Sequence, residues 1–291
     1  MPALREHARA KVNLTLHVLG RRADGYHELD SLVVFADLAD KLALTAGGEL
    51  ALDVTGPRAA DCGSLDDNLV LRAARQLQQR VGGLKLGRFV LDKHLPAAAG
   101  IGGGSADAAA ALRLLATANG LAFDDPRMAE AARATGADVP VCLLSRGCTM
   151  AGVGERITPL PVPRLSGVLI NPGVPVATKD VFAAIGLKPG ESFETTEPPP
   201  QWPAAGASAA QWLKAVMSGR NDLEEPAMTV QPVIADVLRA LRYAIGCRLA
   251  RMSGSGATCF GLFDDDATAQ SVARALKTHY PDWWIEACAL S

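Results

Sequence analysis

Hydrophobic and polar residues alternate strictly from Lys11 to Leu19, with Val12, Leu14, Leu16 and Val18 on one face and Lys11, Asn13, Thr15 and His17 on the other. That period of two predicts a half-buried strand whose polar face presents Lys11 and Asn13 side by side. The segment Arg21-Arg22-Ala23-Asp24-Gly25-Tyr26-His27 follows, an Asp-Gly turn leading into an aromatic pair, in a loop of the kind that often carries ligand contacts. After Asp67-Asn68 the period becomes helical (Leu69, Val70, Ala73, Leu77), with one of those two polar residues as N-cap and Gly82-Gly83 as the stop. A strand from about Lys85 to Asp92 leads into a glycine run and then an alanine-rich helix through Ala118, stopped by Gly120. Asp125-Pro126 opens the next helix and Gly136 closes it.

Asp138 stands between that stop and the Val139-Pro140 step, ahead of Val141–Leu144, which reads as an apolar strand. No capping duty explains an aspartate there, although a turn-forming role remains open. A hairpin through Ala151–Glu155 and the prolines Pro159, Pro161 and Pro163 mark a junction, so two domains are expected, 1–163 and 164–291. The second has a strand at Val168–Ile170, a helix near Thr178–Ile185, and a Gly/Pro/Glu-rich stretch from Gly186 to Pro203 expected to be mobile. Helices at about Ala210–Met217 and Val233–Ala244 precede a Gly/Ser loop, Ser253–Thr258, set between two strands.

Composition narrows the picture. With 291 residues, 49% of them hydrophobic, the chain can bury a substantial core, and a formal charge of -2 argues against sequence-independent nucleic-acid binding. Six cysteines without a Cys-x-x-Cys pair argue against a zinc site or a dense disulfide framework and favour a reducing compartment. The charged N-terminus does not fit a signal peptide, and no window reaches the ~18 uncharged apolar residues a bilayer span requires, so a cytoplasmic protein with no membrane partner is expected.

The candidate chemistry starts at Pro96-Ala97-Ala98-Ala99-Gly100-Ile101-Gly102-Gly103-Gly104-Ser105-Ala106-Asp107. Glycines that adopt positive φ and a helix N-terminus with unpaired amides form an anion site, and a nucleotide polyphosphate is the first ligand to consider. It is not a Walker loop, because no lysine follows Gly104 and the next basic residue is Arg113. A dinucleotide fingerprint fails too, since the third glycine position falls on Ser105 or Asp107. Taken alone, the run also fits a packed Gly/Ala connector, and Lys11 a solvated strand lysine.

The Lys11/Asn13 strand, the Pro96–Asp107 run and the Ser253–Thr258 loop together resemble, in order and separation, the three motifs of the GHMP small-molecule kinases. Within that superfamily Ala10–Leu14, Arg22–His27, Asp67–Leu69, Gly136–Pro140 and Gly152–Glu155 are similar to the branch whose acceptor is 4-(cytidine 5'-diphospho)-2-C-methyl-D-erythritol. The resemblance implies a two-domain α/β fold, an N-terminal unit like the second domain of ribosomal protein S5 and a C-terminal sheet with helices on one side. It implies transfer of the γ-phosphoryl group of ATP, with Mg²⁺, to the acceptor's 2-hydroxyl. Asp138 would accept or orient the hydroxyl proton, and Lys11 would sit beside it and stabilise charge on the transferred group. Main-chain amides from Pro96 to Ala106 would hold the phosphates, with the Ser105 hydroxyl near them and the metal; Ala106 stands where the family often has a second serine. Asn68 and Lys93 match positions near the nucleotide. Asn13 would serve the acceptor, Tyr26 and Phe182 would sandwich its cytosine ring, and His27 would read the ring's edge. The metal ligands and the oligomeric state stay unassigned. A GHMP kinase for another small alcohol and a non-catalytic nucleotide-binding protein are the competing readings.

Overall fold

The alternation from Lys11 to Leu19 is not one strand. In the computed structural model, which describes residues 3–193 and 200–291, β1 (Leu4–Asn13) ends at Asn13 and β2 (His17–Arg21) starts four residues later. The polar face is not solvated either: Lys11, Asn13, Thr15 and His17 are all buried. Each has an internal partner. Asn13 Nδ2 donates to Ser31 Oγ, Thr15 Oγ1 accepts from the Leu32 amide, and His17 Nε2 accepts from the Arg220 amide. Period two survives, but both faces are covered.

The chain continues as β3 (His27–Ala46), β4 (Ala51–Thr55), α1 (Leu69–Arg80), β5 (Gly87–Asp92), α2 (Gly103–Asn119), α3 (Pro126–Thr135) and α4 (Val139–Leu144). Local chemistry explains most of these ends. Asn68 Oδ1 accepts from the Val70 amide and caps α1, Asp125 does the same for α3 with Pro126 in its first turn, and Gly120 closes α2 in the left-handed region. The expected strand at Val141–Leu144 is instead α4. An apolar run this short carries no usable period, and Pro140, with its φ fixed, suits a first helical turn better than a strand interior.

Then come β6 (Cys148–Gly152), β7 (Arg156–Pro159), β8 (Leu165–Asn171), α5 (Thr178–Ile185), α6 (Ala209–Met217), α7 (Glu224–Val230), α8 (Val233–Arg242), β9 (Leu249–Met252), β10 (Cys259–Phe263), α9 (Asp266–His279) and β11 (Trp284–Leu290). Part of the stretch expected to be mobile is tied down: the Gly190 amide donates to Arg21 O and the Arg21 amide to Glu191 O. Residues 194–199 of that stretch lie outside the described residues.

Two compact units interleave along the chain, one built from residues through Lys11, Leu38–Ala97 and Gly102–Ser145, the other from Val12–Asp37, Ala98–Ile101 and Arg146 onward. The sequence places a single boundary after residue 163; in the structure β1 and β3 each run from one unit into the other. In the smaller unit the second half of β3 pairs antiparallel with β5, which pairs parallel with β4, and α1, α2, α3 and α4 pack on one another. Alanines fill the buried side of α2 (Ala106, Ala108–Ala111), which lets neighbouring helices approach closely.

In the larger unit β11 pairs antiparallel with β8, β8 with β10 and β10 with β9, while β2 and β6 flank the first half of β3. Val168 and Ile170 of β8 and Ile285 of β11 share a core with Val237, Leu238 and Leu241 of α8 and Val272 of α9, so both helices cover one face of that sheet. Among the described residues no helix is long and apolar enough to cross a membrane, and all six cysteines are free.

Candidate active site

Lys11, near the end of β1, and Asp138, at the N-cap position of α4, meet in the smaller unit with Nζ 2.8 Å from Oδ2. The lysine side chain is only 5% exposed and the carboxylate 39%, so the acid is held on one side and open on the other. Asp138 spends no oxygen on capping: its side chain makes no bond to the first turn of α4. Cys142, a turn further on, is a spectator, because burial and then the Asp138 charge push its thiol up to about 12 and keep it neutral.

The N-terminus of α2 lies against the same lysine. Gly102, its N-cap, has φ 62°, and a Cβ there would stand 3.3 Å from Lys11 Cβ and 3.4 Å from Cε. Glycine lets the helix start come flush with the lysine stem. No side chain caps α2, so its first-turn amides and the positive end of its dipole remain available to an anion. An ammonium, a half-open carboxylate and an uncapped helix start thus converge within one unit. That set can hold a polyphosphate and orient an alcohol.

Lys93, the residue after β5, does not reach an open surface. Its Nζ lies 2.5 Å from Asp40 Oδ2 and 2.8 Å from Asp107 Oδ2, all three side chains being buried. A Cβ on Gly103 would stand 3.4 Å from that Nζ, so the ammonium sits beneath the first turn of α2. Burial opposes its charge, but Asp107 and Asp40 outweigh burial and hold the lysine above its usual value. Burial pushes the Asp107 carboxyl up to about 7 against the pull of Lys93, and its Oδ1 has no partner.

In the larger unit, the middle of the glycine run is held by the second Gly/Ser loop. The Thr258 amide donates to Ala99 O, Ser253 Oγ donates to Gly100 O at 3.0 Å, and Ser253 Oγ accepts from the Asn13 amide. Asn221 Nδ2 fixes the loop in turn through Met252 O and Gly254 O. Asn13 leaves its buried Oδ1 without a partner. His27 stacks on Phe182 of α5, ring centroids 4.5 Å apart and planes at 26°. Burial and then Arg21 lower the His27 pKa, which favours a neutral ring. Tyr26 is 66% exposed.

Residues 68–146 match the pattern described as the GHMP kinases N terminal domain and residues 203–282 the GHMP kinases C terminal pattern. A 4-diphosphocytidyl-2-C-methyl-D-erythritol kinase of Rhodopseudomonas palustris is 62% identical over 291 residues, spanning 99% of this chain and 97% of that protein. The chain belongs to the GHMP kinases. The protein of the same name from Nitrobacter winogradskyi is 60% identical, spanning 98% of this chain and 93% of its own length. A crystal structure of a 4-(cytidine 5'-diphospho)-2C-methyl-D-erythritol kinase aligns over 99% of both chains with TM-score 0.77 and 34% identity.

In this GHMP kinase, a small-molecule phosphotransferase, the expected site residues divide between the two units. Lys11, Asn68, Lys93, Pro96, Ala97, Gly102, Gly103, Gly104, Ser105, Ala106 and Asp138 belong to the smaller; Asn13, Tyr26, His27, Ala98, Ala99, Gly100, Ile101 and Phe182 belong to the larger. Lys11 and Asp138 are in direct contact. Asn68 is occupied as the α1 cap and Lys93 by its two aspartates. His27 stacks on one face of Phe182, and Tyr26 is exposed. Asp40, Asp107 and Asn221 were not legible as site supports. The single available signal was an acid, Asp107, on the alanine face of α2 one turn after Gly103.

Proposed function

We propose that this GHMP kinase transfers the γ-phosphoryl group of ATP to the 2-hydroxyl of 4-(cytidine 5'-diphospho)-2-C-methyl-D-erythritol, giving the 2-phosphate and ADP in isoprenoid precursor synthesis. The observation that carries the reading is the 2.8 Å contact between Lys11 and a half-open Asp138, beside the uncapped start of α2. The acceptor oxygen forms a bond to the γ-phosphorus as the bond to the β-phosphate oxygen breaks, and the hydroxyl proton passes to Asp138. Lys11 and the first-turn amides of α2 stabilise charge on the transferred group. The acceptor assignment draws on the relatives' names and on Phe182, whose ring would stack on a base, with His27 beside it to read the base's edge.

Magnesium bound on a triphosphate needs only one or two protein oxygens, a demand that the Ser105 hydroxyl at the start of α2 fits. Among the described residues no group of three or more His, Cys, Asp or Glu side chains forms a dedicated cage. The metal would supply charge neutralisation between the β- and γ-phosphates. The six free cysteines accord with a cytoplasmic setting.

The test is an acceptor panel with ATP and Mg²⁺. ADP release is expected with the cytidylyl alcohol and not with homoserine, galactose or mevalonate. Turnover of one of those instead would overturn the substrate, and binding of ATP analogues without turnover of any acceptor would favour a sensor.

A further inference from the structure

The helix that carries Asp138 is short. At six residues, α4 has too few internal hydrogen bonds to hold its own geometry, so something outside it must set where Asp138 points. Its C-terminal carbonyls are held by arginines. Arg113 Nη1 donates to Cys142 O at 3.0 Å, and Arg9 Nη1 donates to Ser145 O at 3.3 Å. The Cys142 amide in turn donates to Asp138 O at 3.1 Å, so the residue Arg113 grips is bonded directly to the one that carries the acid.

The same guanidinium binds β1. Its Nε donates to Glu6 Oε2 at 3.0 Å and its Nη2 to His7 O at 3.2 Å, with the arginine side chain mostly buried. Arg113 itself projects from α2, ten residues after Gly103. One planar fork therefore ties together β1, which carries Lys11 near its end; α4, which begins after Asp138; and α2, whose start adjoins Lys11. A lysine could not span them, because its ammonium is a single point charge on a flexible stem, whereas the guanidinium points its donors in fixed directions. A cation at a helix C-terminus is also favoured by the dipole.

We infer that Arg113 is a positioning residue for phosphoryl transfer: it sets the distance between Lys11 and Asp138 by locking β1, α2 and α4 to one guanidinium. This rests on the kinase reading above. A shift of about 1 Å in a reacting group costs roughly 10²-fold in rate, so loss of the lock should appear in kcat rather than in ligand affinity.

Arg113→Met and Arg113→Lys are compared with a control that destabilises the same unit away from the site, Leu84→Ala, by steady-state kinetics and by hydrogen exchange over residues 139–146. Expected are a kcat loss of about 10- to 100-fold for Arg113→Met with both KM values within about threefold, an intermediate loss for Arg113→Lys, and little change for Leu84→Ala at similar thermal stability. Exchange in α4 should rise about tenfold or more while α1 is unchanged. If Arg113→Met does not fold, Arg113→Lys carries the same comparison. A kcat within about twofold of the parent, unaltered α4 exchange, or an equal kcat loss in Leu84→Ala overturns the inference. If the parent protein turns over no acceptor, the kinase reading fails, and the exchange arm alone decides whether Arg113 locks α4.

Discussion

Alanine substitutions at three glycines of the Pro96–Asp107 run should have three different outcomes, set by what a Cβ would meet. At Gly104, inside α2, the nearest atom would be Leu69 Cδ1 at 3.5 Å, an ordinary contact, and removing a helical glycine is worth up to about 1 kcal/mol. At Gly102 the left-handed φ of 62° costs an alanine about 1–2 kcal/mol, and the new Cβ presses on the buried Lys11 stem at 3.3 and 3.4 Å. At Gly100, with φ 73°, the Cβ would stand 2.5 Å from Ser253 O and 2.7 and 2.9 Å from Gly256 O and N. Those are backbone atoms that no rotamer change can move, so about 3 kcal/mol or more is expected. At roughly 2–4 °C per kcal/mol, Tm should be unchanged or raised for Gly104→Ala, lowered by several degrees for Gly102→Ala and lowered most for Gly100→Ala. Thermal melts and steady-state turnover at a temperature where all are folded form the assay. Gly102→Ala should lose at least about tenfold in kcat, since the displaced stem carries the ammonium bonded to Asp138. Equal melting temperatures for Gly100→Ala and Gly104→Ala, or full kcat in Gly102→Ala, would refute this reasoning.

Phe182→Ala should raise KM for the cytidine-bearing acceptor about tenfold, from a base-stacking contribution of about 1–3 kcal/mol, and leave KM for ATP within about twofold; parallel changes in both would remove the clamp assignment. His17 gives a pH signature. Burial and then Arg220 push its pKa down to about 4, so the folded chain keeps it neutral while the unfolded chain takes up a proton below about pH 6.5. Its contribution is therefore fully present above pH 6.5 and is lost as pH falls toward 4, on the order of 2–3 kcal/mol. Melting curves of His17→Gln against pH should be flatter across that window, and a curve parallel to the parent's would contradict the assignment.

Features with a local cause were legible in the sequence. The caps at Asn68 and Asp125, the glycine stop at Gly120 and the helix Thr178–Ile185 depend on a few neighbouring residues, and the structure has them where the pattern puts them. What escaped was decided at a distance. The alternation by itself leaves the polar face of Lys11 and His17 without partners, because Asp138 and Arg220, which they meet, lie far along the chain. The α9–β11 segment carries no motif, and β11 gains its place through pairing with β8 across long sequence separation. Lys93 matched a position near the nucleotide, but no pattern announces that Asp40 and Asp107 would enclose it. The contact between Lys11 and Asp138 was anticipated through the family resemblance rather than through spacing.

The claim that Asp138, held by Lys11, takes the acceptor proton is tested most directly by single-turnover kinetics of Asp138→Asn at saturating ATP and cytidylyl alcohol. The substitution keeps the shape of the side chain, so melting temperature and ligand affinity should stay near the parent's while the rate falls about 10²- to 10⁴-fold. A rate within a few fold of the parent, with both ligands bound, would contradict the account.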